Sequence, residues 1–444
     1  MCYEKFKPNG YGGVFLLNTP ALYVCRPSLI EKVLVEDFPY FHDRLSKEDG
    51  RYPLVNTLSY CTGEEWKTLR SRVAPAFSSG KVSGMFNQIL SSTDRVLQKI
   101  SLLNEFRERI EVENMATTYT TEVLASCLFG VEVTNVDQYH QLEESLNALF
   151  NPSLVRYIIM VMGLVNQKLY NLLKLERIPK KAMETFTNMI RDIIHLRKKE
   201  MTTRDDVLQT MLNLNSEEIN YTGEINTDSS NESISLLMFN FMTAGIKPTA
   251  VTITFALYEI AKYNTIQDTI LKEITEAISK HGGWSYEALK EMTYLDLVIQ
   301  ETLRLHSFNP ALIRSVTKPY TLPGTSLTLE KDMMVCIPVD GLHADPEFYP
   351  SPEEFRPERW TGNDYKESSI FLPFGGGPRA CVSIDLAVLT IKLCLARVLV
   401  EHRVGLDRRM SVPLDMDKRV FYPKVKKGMW IIFSKRDGYN YCNA

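Results

Sequence analysis

Apolar positions along the chain recur mostly at the three- and four-residue spacing of amphipathic helices, and alternating apolar runs are short. Two such runs, 13–18 and 21–25, flank a Thr-Pro pair and predict a β-hairpin, followed by a helix over 28–37. Further helices are predicted over 64–76, 82–110, 113–128, 137–150, 178–200, 233–262, 265–280, 291–305 and 383–400. Strand-like segments return at 319–338 and 428–436. We therefore predict a mainly α fold with a minor β part, to which both ends of the chain contribute.

The composition is that of an ordinary globular protein. The 444 residues are 44% hydrophobic and 24% charged, which is enough apolar material for a large core. No linker-like stretch and no internal repeat divides the sequence, so we predict a single large domain over residues 1–444. The net charge of −3, with interspersed signs and short basic clusters, argues against a nucleic-acid partner.

The cysteine pattern argues against two structural uses of sulfur. The eight cysteines form no CxxC pair and lie in apolar contexts, as expected for free buried thiols in a reducing compartment. A disulfide framework and a zinc site are therefore not expected. Cys381 is the exception, because it ends the glycine-rich loop FGGGPRAC and is presented to a neighbour instead of packed in a core.

No segment of the sequence predicts a transmembrane span. The best candidate, 154–169, carries Arg156 and Lys168, and its uncharged stretch is too short. We expect it to be a core helix or a helix lying on a surface. The first residues lack the apolar region of a signal peptide.

Two pairs of residues at helical spacing have chemistry that suits a bound carboxylate or a buried charge. Trp66 and Arg70 are four positions apart, so an indole N–H and a guanidinium share one helix face and can bind a carboxylate. Glu301 and Arg304 can form an ion pair on an apolar helix, and Arg359 is a candidate third member. Each pair alone is unspecific.

The segment 233–262 is apolar nearly all round, which predicts a helix through the middle of the fold. Ala244 and Gly245 at its centre offer a place where a ligand can lie against the backbone. Pro248 removes a helix N–H and should kink or widen the helix.

The glycine-rich loop brings a soft metal ligand together with groups that suit a bound cofactor. A thiolate at Cys381 can bind iron, zinc or copper(I). Arg379 can reach an anionic group of the same cofactor, and Phe374 can pack on the sulfur side and exclude water. Successive loop N–H groups can point at the sulfur and favour the thiolate.

These stretches, in this order, resemble the cytochrome P-450 family. The resemblance rests on the Trp-x-x-x-Arg pair, the central Ala-Gly helix, the Glu-x-x-Arg pair about eighty residues before the cysteine, the PER segment and the loop FGGGPRAC. It covers essentially the whole chain. The segments 41–82 and 343–360 are similar to animal microsomal members, particularly insect members that metabolise foreign compounds. The resemblance implies the cytochrome P-450 fold, a single large heme domain.

The family's residue roles carry over by position. Cys381 would be the axial thiolate of a heme b iron, a ligand that favours O–O cleavage, and Phe374 would shield its sulfur. Ala244, Gly245 and the catalytic Thr249 would face the oxygen and substrate side. The heme propionates would be bound by Trp66, Arg70, Arg314 and Arg379. A structural network behind the heme would consist of Glu301, Arg304 and Arg359. The substrate pocket would also be lined by residues 308–313 and the loop near Val420.

The sequence departs from the family pattern at two places. Ser383 stands where the family has a glycine; it can weaken heme packing, or its oxygen can cap the following helix. Lys247 and Pro248 stand where the family has an acid and a threonine, the usual proton relay. Thr249 alone keeps that pattern.

We therefore predict a heme-thiolate monooxygenase that inserts one oxygen atom of O2 into a small hydrophobic substrate with electrons from NADPH. Two alternatives stay open. The replacement of the relay by Lys247 and Pro248 suits an isomerase, lyase or dehydratase that does not need O2. Together with Ser383, it also suits a catalytically degenerate protein that binds heme or hydrophobic ligands.

The resemblance also implies partners and a location. Electrons would come from an NADPH-dependent flavoprotein reductase, with a cytochrome b-type protein as a further donor, because the sequence holds no flavin or iron–sulfur motif. Microsomal relatives are anchored on the cytoplasmic face of the endoplasmic reticulum by an N-terminal helix that this sequence lacks. We expect a monomer that contacts the membrane, with 153–170 as a further surface contact.

Overall fold

The structure is a computed structural model that describes most of the chain. The described residues are 2–16, 19–44, 54, 57–106, 108–132, 136–150, 179–222, 227–362, 369–411, 413–417 and 422–436. The candidate surface helix 154–169 and the loop near Val420 lie outside the described residues.

Helices dominate the described chain and are numbered in chain order. They are α1 (Cys2–Phe6), α2 (Pro27–Glu31), α3 (Gly63–Val73), α4 (Ser79–Gly84), α5 (Phe86–Glu105), α6 (Val112–Phe129), α7 (Val136–Phe150), α8 (Lys180–Glu200), α9 (Val207–Thr222), α10 (Thr227–Lys262), α11 (Asn264–His281), α12 (Tyr286–Glu291), α13 (Thr293–Leu305), α14 (Val339–His343) and α15 (Ile384–Glu401). A π-helical turn, Lys32–Glu36, extends α2.

The described strands form three small sheets. They are β1 (Tyr11–Leu16), β2 (Thr19–Val24), β3 (Ile110–Glu111), β4 (Leu312–Ser315), β5 (Tyr320–Thr321), β6 (Thr328–Leu329), β7 (Met334–Ile337), β8 (His402–Leu406) and β9 (Trp430–Lys435). The sheet orders are β1-β2-β7-β4, β3-β9-β8 and β5-β6. In the first sheet β2 runs parallel to β7, with Ala21 opposite Met334, so distant parts of the chain join there as predicted.

The mainly α fold with a minor β part is confirmed, as are the early hairpin and the long helices. The differences lie at short elements. The helix predicted over 82–110 is two helices, α4 and α5, which divide after Gly84, a poor helix former. Strands β4 and β8 were not predicted, because a strand of four or five residues shows too few alternations to be told from a loop. One longer element, the 16-residue helix α9, was also missed.

Helix α10 runs through the core, as its uniform apolarity predicts. It packs against α6, α8, α13 and α15, and Met238, Phe239, Ile246 and Ala250 are fully buried. Its segment Asn231–Lys262 is long and apolar enough to cross a membrane by composition alone, but 61% of its most apolar window is buried inside the protein. Burial by neighbouring helices identifies it as a core helix of the fold.

Candidate active site

A cavity of about 490 Å³ lies between α10 and the glycine-rich loop, and it is lined by all the predicted cofactor residues. One wall is formed by the middle of α10, and another by the loop that ends at Cys381. The predicted site residues on its surface are Trp66, Arg70, Ala244, Gly245, Thr249, Arg314, Phe374, Arg379 and Cys381. Much of the predicted pocket segment 308–313 also lines it, namely Phe308, Asn309 and Ala311 to Ile313.

The cysteine loop has a shape that only glycine permits at one position. Gly377 has a φ of 65°, and a Cβ there would lie 1.8 Å from the carbonyl oxygen of Leu34. The loop closes on itself, because the N–H of Cys381 donates to the carbonyl of Phe374 at 2.9 Å. The backbone therefore holds Cys381, which is only partly buried, at the cavity surface.

The sulfur of Cys381 has a side-chain partner that the sequence did not suggest. The hydroxyl of Ser383 lies 3.6 Å from Sγ, within hydrogen-bond distance for sulfur. No N–H of the described loop residues donates a hydrogen bond to this sulfur. The N–H of Cys381 itself donates to the carbonyl of Phe374. Capping by Ser383 is also not observed, because its side chain makes no hydrogen bond to the start of α15. Its φ of −112° is negative, so the position does not require glycine.

Arginines gather at one end of the cavity. Arg314 is 3% exposed, its Nε has no partner among the described residues, and burial lowers its pKa to about 9. Burial also lowers the pKa of Arg70 and of Arg44. Arg44 was not predicted, although its segment 41–44 belongs to a stretch that resembles the family. Neighbouring guanidinium groups without nearby acids favour a bound anion.

Arg379 has a larger structural role than predicted. Its Nε donates to His42 O at 2.8 Å and its Nη2 to Cys61 O at 2.7 Å. Its guanidinium also stacks on Trp66 at 4.2 Å and lies 3.6 Å from Asp43. Arg379 thus fixes the cysteine loop to the segment before α3, and burial lowers its pKa to about 10.

The predicted ion-pair network behind the cavity is present and larger than expected. Glu301 accepts two hydrogen bonds from Arg304 and one from Arg359, all at 2.9 Å. Trp360, which was not predicted, donates its indole N–H to the same carboxylate at 2.9 Å. These hydrogen bonds repay part of the cost of burying the charges.

His343 connects this network to the cysteine loop and was also not predicted. Arg304 donates to the carbonyl of His343 at 2.8 Å, and the ring Nε2 accepts from the N–H of Leu372 at 3.1 Å. Burial lowers the pKa of His343 to about 3, so its ring is neutral and can accept at Nε2. Leu372 is two residues before Phe374, so the network fixes the start of the loop.

The α10 wall shows how the two unusual residues are accommodated. Pro248 lines the cavity, and α10 is α-helical on both sides of it, without the predicted widening. Lys247 is not among the described residues that line the cavity; its Nζ lies 3.6 Å from Glu113 of α6. Burial lowers the pKa of Lys247. Thr249 lines the cavity and makes no hydrogen bond to another described residue, whereas Thr252 donates to the carbonyl of Pro248 at 2.8 Å.

The comparisons with known proteins agree with this geometry. A family model described as Cytochrome P450 matches residues 5–432. The chain belongs to the cytochrome P450 family. Cytochrome P450 6d1 of Musca domestica is 32% identical over 452 residues, covering 93% of this chain and 84% of the relative. Cytochrome P450 6B7 of Helicoverpa armigera is 30% identical over 431 residues, with coverages of 94% and 84%. Probable cytochrome P450 6a14 of Drosophila melanogaster is 28% identical over 445 residues, with coverages of 97% and 87%.

Cytochrome P450 proteins bind heme and typically act as monooxygenases, which makes this chain an oxidoreductase of that type. The cavity fits heme on its own chemistry. None of the described residues that line it is acidic, whereas four are arginines: Arg44, Arg70, Arg314 and Arg379. Heme is a flat apolar molecule with two carboxylates at one edge, so it would supply the negative charge that Arg44, Arg70 and Arg314 lack. A single cysteine on one apolar face completes the match.

Proposed function

We propose that this cytochrome P450 is a single-domain heme-thiolate monooxygenase that inserts one oxygen atom of O2 into a small hydrophobic substrate. A single observation carries the proposal: Cys381 and Thr249 line the same cavity, together with four arginines. When bound, heme supplies the electron-transfer and oxygen chemistry that amino-acid side chains lack. Cys381 would supply the thiolate ligand of the heme iron.

The arginines at one end of the cavity, which we call the rim, would hold and orient the cofactor. Arg44, Arg70 and Arg314 would donate to the propionates, together with the indole N–H of Trp66. Arg379 contributes charge at the same end, but most of its donors already bind backbone carbonyls. Phe374 covers the sulfur side of the cavity and excludes water from it.

The α10 wall receives the substrate and handles protons. Ala244 and Gly245 allow close approach to the backbone, and Phe241 and Leu303 add apolar surface. The unengaged hydroxyl of Thr249 is the group on this wall that we assign to proton delivery. Thr249→Val should therefore lower the product formed per NADPH consumed. Thr252→Val is the matched control, because that hydroxyl already donates to a helix carbonyl.

The decisive experiment is turnover of a hydrophobic substrate by the heme-loaded protein with a flavoprotein reductase, NADPH and O2. We expect hydroxylated or epoxidised product with one oxygen atom from ¹⁸O-labelled O2. Product that forms equally well without O2 would overturn the proposal.

A second candidate function is favoured by one observation, the proline in the cavity wall. Pro248 puts an apolar ring where the family pattern has a hydroxyl, and Lys247 turns toward Glu113 instead of the cavity. A heme-thiolate isomerase, lyase or dehydratase needs no proton relay for O2. It would convert a fatty-acid hydroperoxide or an oxime without reductase, and an absolute requirement for reductase would exclude it.

The electron donor and the location follow from the same proposal. An NADPH-dependent flavoprotein reductase, with a cytochrome b-type protein as second donor, would reduce the monomeric enzyme at the cytoplasmic face of the endoplasmic reticulum membrane. The apolar substrate would partition into that membrane. In cell fractions the native protein should sediment with microsomes, and recovery in the soluble fraction would contradict this location.

A further inference from the structure

Pro248 leaves one backbone carbonyl on the cavity wall without its helical partner. In an α-helix each carbonyl accepts a hydrogen bond from the N–H four positions later. Four positions after Ala244 stands Pro248, which has no N–H, and both residues line the cavity. The carbonyl oxygen of Ala244 is thus an acceptor that the helix does not satisfy.

A second polar group, five positions further along α10, lines the same cavity. The hydroxyl of Thr249 makes no hydrogen bond to any residue in the described ranges, although Thr243, Thr252 and Thr254 of the same helix each donate to the carbonyl four positions earlier. Apolar side chains line this part of the cavity, among them Leu124, which packs against Gly245. Unpaired polar groups in an apolar cavity favour a ligand that brings a matching donor.

We propose that the Ala244 carbonyl and the Thr249 hydroxyl bind a hydroxyl or N–H group of the substrate. The substrates are then hydrophobic molecules that carry a hydrogen-bond donor, a class narrower than hydrophobic compounds in general. This inference rests on the proposed function in so far as the same cavity holds both heme and substrate.

The test compares two ligands of nearly equal shape, 4-hydroxybiphenyl and 4-methylbiphenyl, on the heme-loaded protein. Dissociation constants come from the shift of the heme absorption band on titration, without reductase or O2. We expect Pro248→Ala, which restores the N–H, to reduce the preference for the hydroxyl ligand by about two- to tenfold. Pro248→Ala also removes ring atoms from the cavity wall. Its effect on 4-methylbiphenyl measures that change of shape, and the ratio of the two dissociation constants isolates the hydrogen bond.

The controls separate this inference from the proposed reaction. Alanine is a better helix former than proline, so the variant should fold. Val251→Ala, a buried change on the same helix at a residue that does not line the described cavity, should leave the ligand preference unchanged. An unchanged preference in Pro248→Ala would overturn the inference whatever the turnover assay shows. A changed preference would support it even if no oxygenated product were found.

Ser383 carries an independent inference about the cysteine ligand. It occupies the N-cap position of α15, where a serine oxygen normally accepts a helix N–H, yet its side chain makes no such bond. Its hydroxyl lies 3.6 Å from Sγ of Cys381 instead. A thiolate has no proton, so in the metal-bound protein the hydroxyl must be the donor.

We infer that Ser383 raises the reduction potential of the heme iron by donating this hydrogen bond. A donor to the axial sulfur withdraws negative charge from it and weakens its electron donation to the metal, which favours the reduced state. Ser383 is therefore a positioning and tuning residue that acts through Cys381. The serine at this position would then have a role that glycine cannot fill, because glycine has no hydroxyl to donate.

Ser383→Ala and Ser383→Thr form the test, measured by spectroelectrochemical titration of the heme-loaded protein. We expect the alanine variant to have a lower reduction potential, and the absorption band of its reduced CO complex should move. The threonine variant keeps the hydroxyl and should stay near the wild type. Equal potentials in the wild type and the alanine variant, or a threonine variant that behaves like alanine, would overturn the inference. A capping role would change the melting temperature but would not move the potential.

Discussion

The two walls of the cavity are built by different means. The cysteine loop is fixed by backbone contacts: Gly377 has no room for a side chain beside Leu34, Cys381 closes the loop on Phe374, and Arg379 binds backbone carbonyls. The α10 wall is a regular helix whose side chains project into the space. A substitution in the loop therefore disturbs the shape of the site, whereas a substitution on the wall changes its chemistry and leaves the fold intact.

The unusual residues of this chain follow that division. Lys247 reverses a charge on α10 without disruption, because Glu113 of the neighbouring helix lies 3.6 Å away. Pro248 lies within a helix that continues on both sides. The loop FGGGPRAC, by contrast, keeps its three glycines, and Ser383, two residues beyond it, replaces a family glycine at a negative φ that does not require one. Family membership thus predicts the heme-binding wall more securely than it predicts the reaction at the other wall.

The largest effect is expected from removing the cysteine thiol of the loop. Cys381→Ala should abolish the thiolate-type absorption band of the reduced CO complex, because the axial ligand is removed. Cys394→Ala is the matched control, a thiol buried in α15 whose pKa burial raises to about 12, and it should keep the band. A Cys381→Ala protein with an unchanged spectrum would contradict the assignment of the ligand.

Removal of the carboxylate behind the loop should have the next largest effect. Glu301→Gln leaves the guanidinium groups of Arg304 and Arg359 buried without their counter-charge, which should lower the free energy of unfolding by about 3–5 kcal/mol. Urea denaturation measures the loss. Glu354→Gln, whose carboxylate is half exposed, should change it little. Equal effects of the two substitutions would show that the buried network is not what holds this side together.

Arg314 distinguishes the heme-binding role of the rim from a structural role. Arg314→Gln should weaken heme retention by about ten- to a hundredfold, because a charge-assisted hydrogen bond is lost. The heme-free protein should become more stable, since a buried guanidinium without a partner for its Nε is removed. Heme transfer to an acceptor protein and thermal melting measure the two quantities. Arg356→Gln on the surface is the control, and effects of the same sign in both assays would refute the rim role.

His343 should make the loop side sensitive to acid. Its folded-state pKa of about 3 lies below the ordinary value of 6.5, so the unfolded chain binds a proton first as the pH falls. Its contribution to stability is complete above pH 6.5 and is lost as the pH falls toward about 3, by up to about 1.4 kcal/mol per pH unit. The His343→Gln variant should lack this loss of folding stability between pH 6.5 and about 3. The His140→Gln variant, changed at an exposed position, should retain it. Parallel curves of stability against pH for the two variants would be the contrary result.

Periodicity along the chain predicted α10, α15 and the hairpin. The full set of cavity residues came from the family resemblance, which carries residue roles over by position. The sequence did not predict His343, Trp360 or Arg44, whose roles arise from contacts between segments far apart in sequence. The side on which Lys247 projects could not be predicted either, since it depends on the partner that α6 supplies. Ser383 was recognised as unusual, but its contact with sulfur depends on a rotamer that the sequence does not specify.

The smallest effect is expected from a substitution on the α10 wall. Pro248→Thr restores a hydroxyl to the cavity and should raise the product formed per NADPH. The gain should be limited to about two- to tenfold, because Thr249 already supplies one proton donor. Heme content and the spectrum of the CO complex should not change, since the loop side is untouched. Lys247→Arg, outside the cavity and beside Glu113, should leave both quantities unchanged. A Pro248→Thr variant with an altered heme spectrum and an unchanged product yield would contradict the view that the α10 wall affects the reaction without disturbing the cysteine loop.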